Sequence, residues 1–403
     1  MESGSKPLAF SWTICLLGVF MLWTGKKTFA RTAQDGLLSN GDFEASPELS
    51  FLNGTVIVGE TALPSWKVQG TVEYIRSGQA QGPMVLVVPQ GKHAARLGNN
   101  AEISQGIELD RGSIYSLTFS AARTCGQLET LNISVSPAAA ASIDLQTLYN
   151  SEGWDAYAWG FIAITDRSEL SFLNPELEQD STCGPLIDNV AIKKISLPDQ
   201  SDDNLVINGD FEEGPFMFPN SSVGVLLPPN LDYETSPLPG WIVESSKAVR
   251  YIDSNHFSVP EGKRAIQLLS GNQGSISQII KTATSKTYRL IFSLGDAGDE
   301  CHPPLAVVAF AGDQSQVANY SSVMSDPFHV FNLSFMANSE NTKISFHSLY
   351  YNTKDNSSLC GPVIDQIKVT DLAELSRGYV FQFPLRLAYG ANLLVLAFLQ
   401  FFL

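Results

Sequence analysis

Two stretches of this chain use nearly the same words in the same order. LSNGDFEASP at residues 38–47 returns as VINGDFEEGP at 206–215, LPSWKV at 63–68 as LPGWIV at 238–243, and VEYI at 72–75 as VRYI at 249–252. VPQGKHAARL at 88–97 matches VPEGKRAIQL at 259–268, YSLTFS at 115–120 matches YRLIFS at 288–293, and CGPLID at 183–188 matches CGPVID at 360–365. The offset stays between 168 and 177 residues. Such a tandem duplication demands two copies of one unit of about 160 residues, a common size for a single domain. The polar run SLPDQSDDN at 196–204 is the linker, which sets the modules at 35–195 and 205–371.

Inside each module, YSLTFS, LNISVS, TKISFHS and QIKVT alternate apolar and polar residues, with Gly, Pro, Asn and Asp clusters between them. Period-two alternation marks a strand with one buried face, and no segment keeps a long 3.6-residue rhythm. The expected fold class is therefore all-β, two tandem β-sandwiches of the jelly-roll type. The duplication also pairs the cysteines. Cys15 lies in the N-terminal apolar run, and four remain, two at matching places in each module. The economical pairing is Cys125–Cys183 and Cys301–Cys360, closing loops of 58 and 59 residues. Loops of that length stabilise by roughly 4 kcal/mol through loop-closure entropy. Structural zinc sites use close Cys-x-x-Cys spacing, which these pairs lack.

Both ends read as processing signals. Lys6 precedes an apolar run from Leu8 to Trp23, followed by small residues, so residues 1–30 read as a secretory signal peptide. Residues 377–403 end in an apolar tail with nothing after it, the pattern of a GPI-attachment signal, with Ser376 as the attachment residue. A short transmembrane helix is the alternative for that tail. Six Asn-X-Ser/Thr sequons, at Asn53, Asn132, Asn220, Asn319, Asn332 and Asn356, are N-glycosylation candidates in a secreted chain. Trimming both signals removes five of 25 basic residues and one of 41 acidic residues, leaving 20 against 40. That charge excludes a nucleic-acid partner and attracts basic ones.

Few residues carry chemistry. Asp188 and Asp365 stand in apolar strands, and Glu44 and Glu212 open the modules. Each pair, Glu44 with Asp188 and Glu212 with Asp365, is a candidate for a structural calcium; the competing reading has the acids capping turns or accepting backbone hydrogen bonds. No other cofactor is expected. GWDAYAWGF at 153–161 is the richest aromatic run. Its Trp159 has no aromatic counterpart in the second module, which makes it a sugar-stacking candidate, with Tyr157 on the same face; core packing is the competing role. Arg123, replaced by acids in the second copy, could pair with a uronate or sit as a solvated loop charge. None of the five histidines recurs at an aligned place, and there is neither His-Glu-x-x-His nor Gly-x-Ser-x-Gly. Catalytic residues are accordingly none, and the chain is expected not to be an enzyme. A glycoside hydrolase, needing only two carboxylates, is the remote alternative.

NGDFE, LPGWIVESSKAVRYIDSNHFSVPEGKRAIQL, YSLTFSAARTC, GWDAYAWGF and the two CGP-ID blocks resemble the plant cell-wall family called domain of unknown function 642, over nearly all of residues 35–370. The resemblance implies two galactose-binding-like modules, secretion to the plant cell wall, no established enzymatic activity, and association with wall polysaccharides such as cellulose or pectin and with pectin methylesterase. Most members lack a hydrophobic C-terminal tail; the tail here implies a lipid-anchored branch at the outer face of the plasma membrane. Polysaccharide binding is the first expectation. A scaffold that holds a basic wall enzyme such as pectin methylesterase is the alternative.

Overall fold

The computed structural model describes residues 35–81, 84–176, 183–201, 203–269, 271–321 and 327–372. Residues 1–30, read above as a signal peptide, Ser376 and the 377–403 tail lie outside the described residues. Among the described residues no helix is long and apolar enough to cross a membrane. The alternating segments are strands throughout. The chain is all-β, built as two tandem sandwiches of packed sheets.

In the first module, Val72–Arg76, His93–Leu97, Leu186–Ile195, Ile114–Ala122 and Asp155–Ile162 lie side by side in one sheet. The opposing sheet has five strands, in the order Ala139–Leu145, Glu129–Ser136, Arg167–Leu173, Glu102–Glu108 and Lys67–Gln69. The second module repeats this. Val249–Asp253, Arg264–Gln267, Val363–Asp371, Thr287–Gly295 and Phe328–Met336 form one layer. Ile242–Val243, Ser275–Lys281, Asn341–Ser348, Leu305–Ala311 and Gln314–Tyr320 form the other.

Inward-facing apolar residues fill the space between layers, and the two cores are near copies. Trp66 and Trp241 are buried. Each indole N–H donates to a backbone carbonyl, of Asn40 and of Asn208, at 3.0 Å in both modules. Phe43 packs 5.5 Å from Trp66, as Phe211 does from Trp241. Phe119 meets Phe172 edge-on at 5.2 Å, and Phe292 meets Phe346 at 5.1 Å. A buried indole needs a partner for its N–H, so the repeated tryptophan fixes both the packing and the turn that supplies the carbonyl. Cys125–Cys183 and Cys301–Cys360 are bonded, as the duplication requires.

The two sandwiches share a seam. The strand Asp155–Ile162 meets Val225–Leu227 in parallel at Tyr157 and Leu226, so the larger sheets run into one another. Ala156, Ala158 and Ala191 pack into the second core, while Leu226, Ala248, Leu269 and Leu359 pack into the first.

Candidate functional site

The aromatic candidates belong to the first core. Tyr157 is 2% exposed, stacks on Phe119 at 5.8 Å, and its hydroxyl accepts from the Gln146 amide. That burial corrects the expectation for Tyr157, since no ring face is left for a ligand. Trp159 is partly buried against the same core, with Phe161 stacked 5.4 Å from it. Arg123 spends its guanidinium locally, Nη1 donating to the Gln127 carbonyl and Nη2 to the Thr147 hydroxyl.

The carboxylate pairs sit beside backbone amides. Glu44 accepts from the amides of Lys92 and His93, and Glu212 from those of Lys263 and Arg264. Gly91 and Gly262, both at φ +71°, make these turns, and a Cβ at either would lie 2.2 Å from the glutamate Oε1. Asp188 accepts from the amides of Gln90 and Asn189, and Asp365 from those of Glu261 and Gln366. Burial works against the Glu44 charge, yet the Lys92 and His93 amides outweigh it and hold its pKa below 4.5. Burial raises Asp188 well above the carboxylate range and Asp365 to about 8, despite the amides each accepts from. Hydrogen bonding from amides, the competing reading at the sequence level, thus accounts for oxygens on all four residues. Among the described residues there is no group of three or more His, Cys, Asp and Glu side chains that could hold a metal.

The outer face of each five-stranded sheet carries a row of hydroxyls and charged side chains. In the first module Lys67, Ser104, Ser171, Ser134 and Ala140 stand directly opposite one another across all five strands. Lys67 Nζ lies 3.1 Å from Glu169 Oε1, and the Ser104 hydroxyl donates to the same oxygen at 3.0 Å. This clamp floors a groove of about 600 Å³ that also takes in Glu60, Gln69 and Glu102. Beyond it the Ser134 and Ser171 hydroxyls meet at 2.9 Å, beside a second hollow of about 450 Å³ lined by Asn132 and Ser142.

The second module carries the equivalent row, Ile242, Ser277, Ser345, Phe310 and Ser315. It also has a clamp, built from a lysine at the Glu169 position, Lys343, and a glutamate at the Gln69 position, Glu244. Lys343 Nζ lies 2.6 Å from Glu244 Oε1, which accepts from the Ser277 hydroxyl at 2.9 Å. Phe310 is partly exposed and meets the His347 ring edge-on at 5.3 Å, so this face adds an aromatic surface to the hydroxyls. Sequence reasoning missed both faces. Lys67 and Glu169 are 102 residues apart. The signal available was the repeated ISQ at 103–105 and 276–278, whose serine anchors each clamp.

Two further histidines lie beside aspartates. His256 Nδ1 lies 3.1 Å from Asp253, and His302 Nε2 lies 2.7 Å from Asp355. Five of the six sequon asparagines are exposed, and Asn132 is partly so.

Comparison with known proteins places the chain. The protein DUF642 L-galactono-1,4-lactone-responsive gene 2 of Arabidopsis thaliana is 47% identical over 361 residues, covering 88% of this chain and 98% of that protein. The gene 1 protein of the same name and plant is 48% identical over 362 residues, covering 89% and 98%. Among solved structures, the N-terminal CBM22-1-CBM22-2 tandem domain of Paenibacillus barcinonensis Xyn10C aligns with 85% of this chain and 99% of its own, at 11% identity and a TM-score of 0.27. The profile of the family described as protein of unknown function (DUF642) matches residues 36–193 and again 204–370. The chain therefore belongs to the DUF642 family, with one family unit in each half.

Proposed function

We propose that this is a non-catalytic extracellular protein that binds plant cell-wall polysaccharide across the outer faces of its five-stranded sheets. The observation that carries this reading is the repeated row of hydroxyls and paired charges. It crosses a rigid sheet in both modules, beside the aromatic pair Phe310 and His347 in the second. Sugar hydroxyls need donors and acceptors fixed at spacing, and apolar ring faces need a flat surface. Glu60, Glu102 and Glu169 in the first groove favour a neutral glucan such as cellulose over acidic pectin.

Secretion to the wall, the lipid anchor at Ser376, the module limits at 35–195 and 205–371, and the calcium at Glu44 and Asp188 or Glu212 and Asp365 remain parts of this proposal. A second reading, a scaffold for a basic wall enzyme such as pectin methylesterase, is favoured by the excess of 41 acidic over 25 basic residues. Pull-down on cellulose and on polygalacturonate at low and high salt separates the two. Salt-insensitive binding to cellulose supports the first reading. Absence of glycan binding, with strongly salt-dependent capture of a basic esterase, supports the second and sinks the first.

A further inference from the structure

The two copies differ at the seam. Where the first module pairs Glu73 with Arg96, the second has Arg250 and Gln267 at the same two facing positions. Arg250 is buried, Nη1 donating to Gln267 Oε1 at 2.9 Å and Nη2 to the Tyr149 carbonyl of the first module at 2.6 Å. Asp299 Oδ2 lies 3.7 Å from Arg250 Nη1 and 2.8 Å from Lys354 Nζ. The Arg250 and Asp299 side chains are 3% and 7% exposed. Even so, Arg250 Nε and Asp299 Oδ1 meet no hydrogen-bond partner. Both residues line a cleft of about 300 Å³ whose walls come from both modules: Tyr149 and Glu152 from the first, Ser222, Phe257 and Lys354 from the second.

We propose that this seam cleft binds one neutral sugar ring. Its volume is at the lower limit of roughly 300–1,000 Å³ for ligand pockets, which suits a single ring rather than a chain lying along it. The charges choose neutrality. A free anion would meet Asp299, Glu152 and Glu300, and a free cation would meet Arg250 and Lys354. A polyol satisfies both signs at once, since each hydroxyl donates and accepts. Phe257, half-buried on the cleft wall, supplies aromatic surface for the apolar edge of the ring. Incomplete hydrogen bonding among deeply buried charges is unfavourable, and a ligand that completes it gains from that. The saccharide-binding reading above enters here only in the choice of probe.

The test is titration calorimetry and saturation-transfer NMR on the full chain from a secretory host. The probes are the methyl glycosides of glucose, galactose, xylose and arabinose, with galacturonate as the charged comparator. At least one neutral glycoside is expected to bind, and galacturonate about tenfold more weakly or not at all. Glu152→Trp, a change at an exposed rim position, and Asp299→Asn, on the floor, are each expected to weaken binding by about tenfold or more. Leu49→Ala, at an exposed position that lines neither this cleft nor the sheet-face grooves, should leave it unchanged. No binding of any neutral glycoside, a preference for galacturonate, or full binding by Glu152→Trp overturns the proposal; if Asp299→Asn does not fold, Glu152→Trp decides. Polymer binding lost with Phe310→Ala while glycoside binding is absent would leave the sheet-face reading standing and remove this one. The converse pattern would do the opposite.

Discussion

Asp155 offers a pH experiment with a definite sign. It begins the strand Asp155–Ile162, is 3% exposed, and lies at the seam near Arg250. Burial raises its pKa from 3.8 to about 8, against the attraction of Arg250. In the unfolded chain the carboxyl ionises at its ordinary value. Between these two pH values the native state holds a proton that the unfolded state has lost. The Asp155 contribution to stability then falls as pH rises, by about 1.4 kcal/mol per pH unit, and the raised Asp188 and Asp365 add slopes of the same sign. Below the unfolded pKa both states are protonated, and above about 8 both are ionised, so the slope disappears at either end. From pH 5 to pH 7 the loss is about 2.7 kcal/mol, or about 5–10 °C of melting temperature at the size of one module. Asparagine reproduces the shape of the protonated acid without its charge. Asp155→Asn is expected to stay within about 1 kcal/mol of the wild type at pH 5 and to lose less stability on going to pH 7.5. Thermal unfolding followed by circular dichroism at closely spaced pH values reads both. A wild-type melting temperature that climbs from pH 5 to pH 7.5, or an asparagine variant weakened equally at every pH, would refute the reasoning. The second result would mean that Asp155 is ionised against Arg250.

Three further outcomes are expected. Trp66→Ala and Trp241→Ala each remove a buried indole together with its hydrogen bond, and each should cost about 3–5 kcal/mol in denaturant titrations. Cys125→Ser with Cys183→Ser opens a 58-residue loop and should lower stability by about 4 kcal/mol; equal stability with and without reductant in the wild type would contradict it. A calcium held by Glu44 with Asp188, or Glu212 with Asp365, requires that chelation lower the melting temperature and that calcium restore it. An unchanged melt leaves the amide hydrogen bonds as the whole role of these carboxylates.

What the sequence discloses here follows from what duplication can carry. A repeated phrase fixes strand order, core tryptophans and disulfide partners, because these are the features both copies must share. It predicts least where the copies diverge. Arg250 stands where the first module has Glu73, and only the structure shows that it answers Tyr149 across the seam and Asp299 within its own module. Tyr157 misleads for a related reason. Alternation puts it on a face with Trp159, but it cannot say that this face looks inward onto Phe119. The outward faces are built from serines and charges contributed by distant strands. Lys343 and Glu244 are 99 residues apart, and no local pattern marks them as neighbours.

The central claim is saccharide binding on the outer sheet faces, and one measurement tests it most directly: affinity of the full chain from a secretory host for cellulose and other neutral wall glucans, beside Phe310→Ala and Lys67→Ala with Ser104→Ala. Binding that persists at high salt and drops by about tenfold or more in the sheet-face variants is the predicted result. A folded protein that binds no neutral polysaccharide, or binds one equally well after these substitutions, contradicts the account.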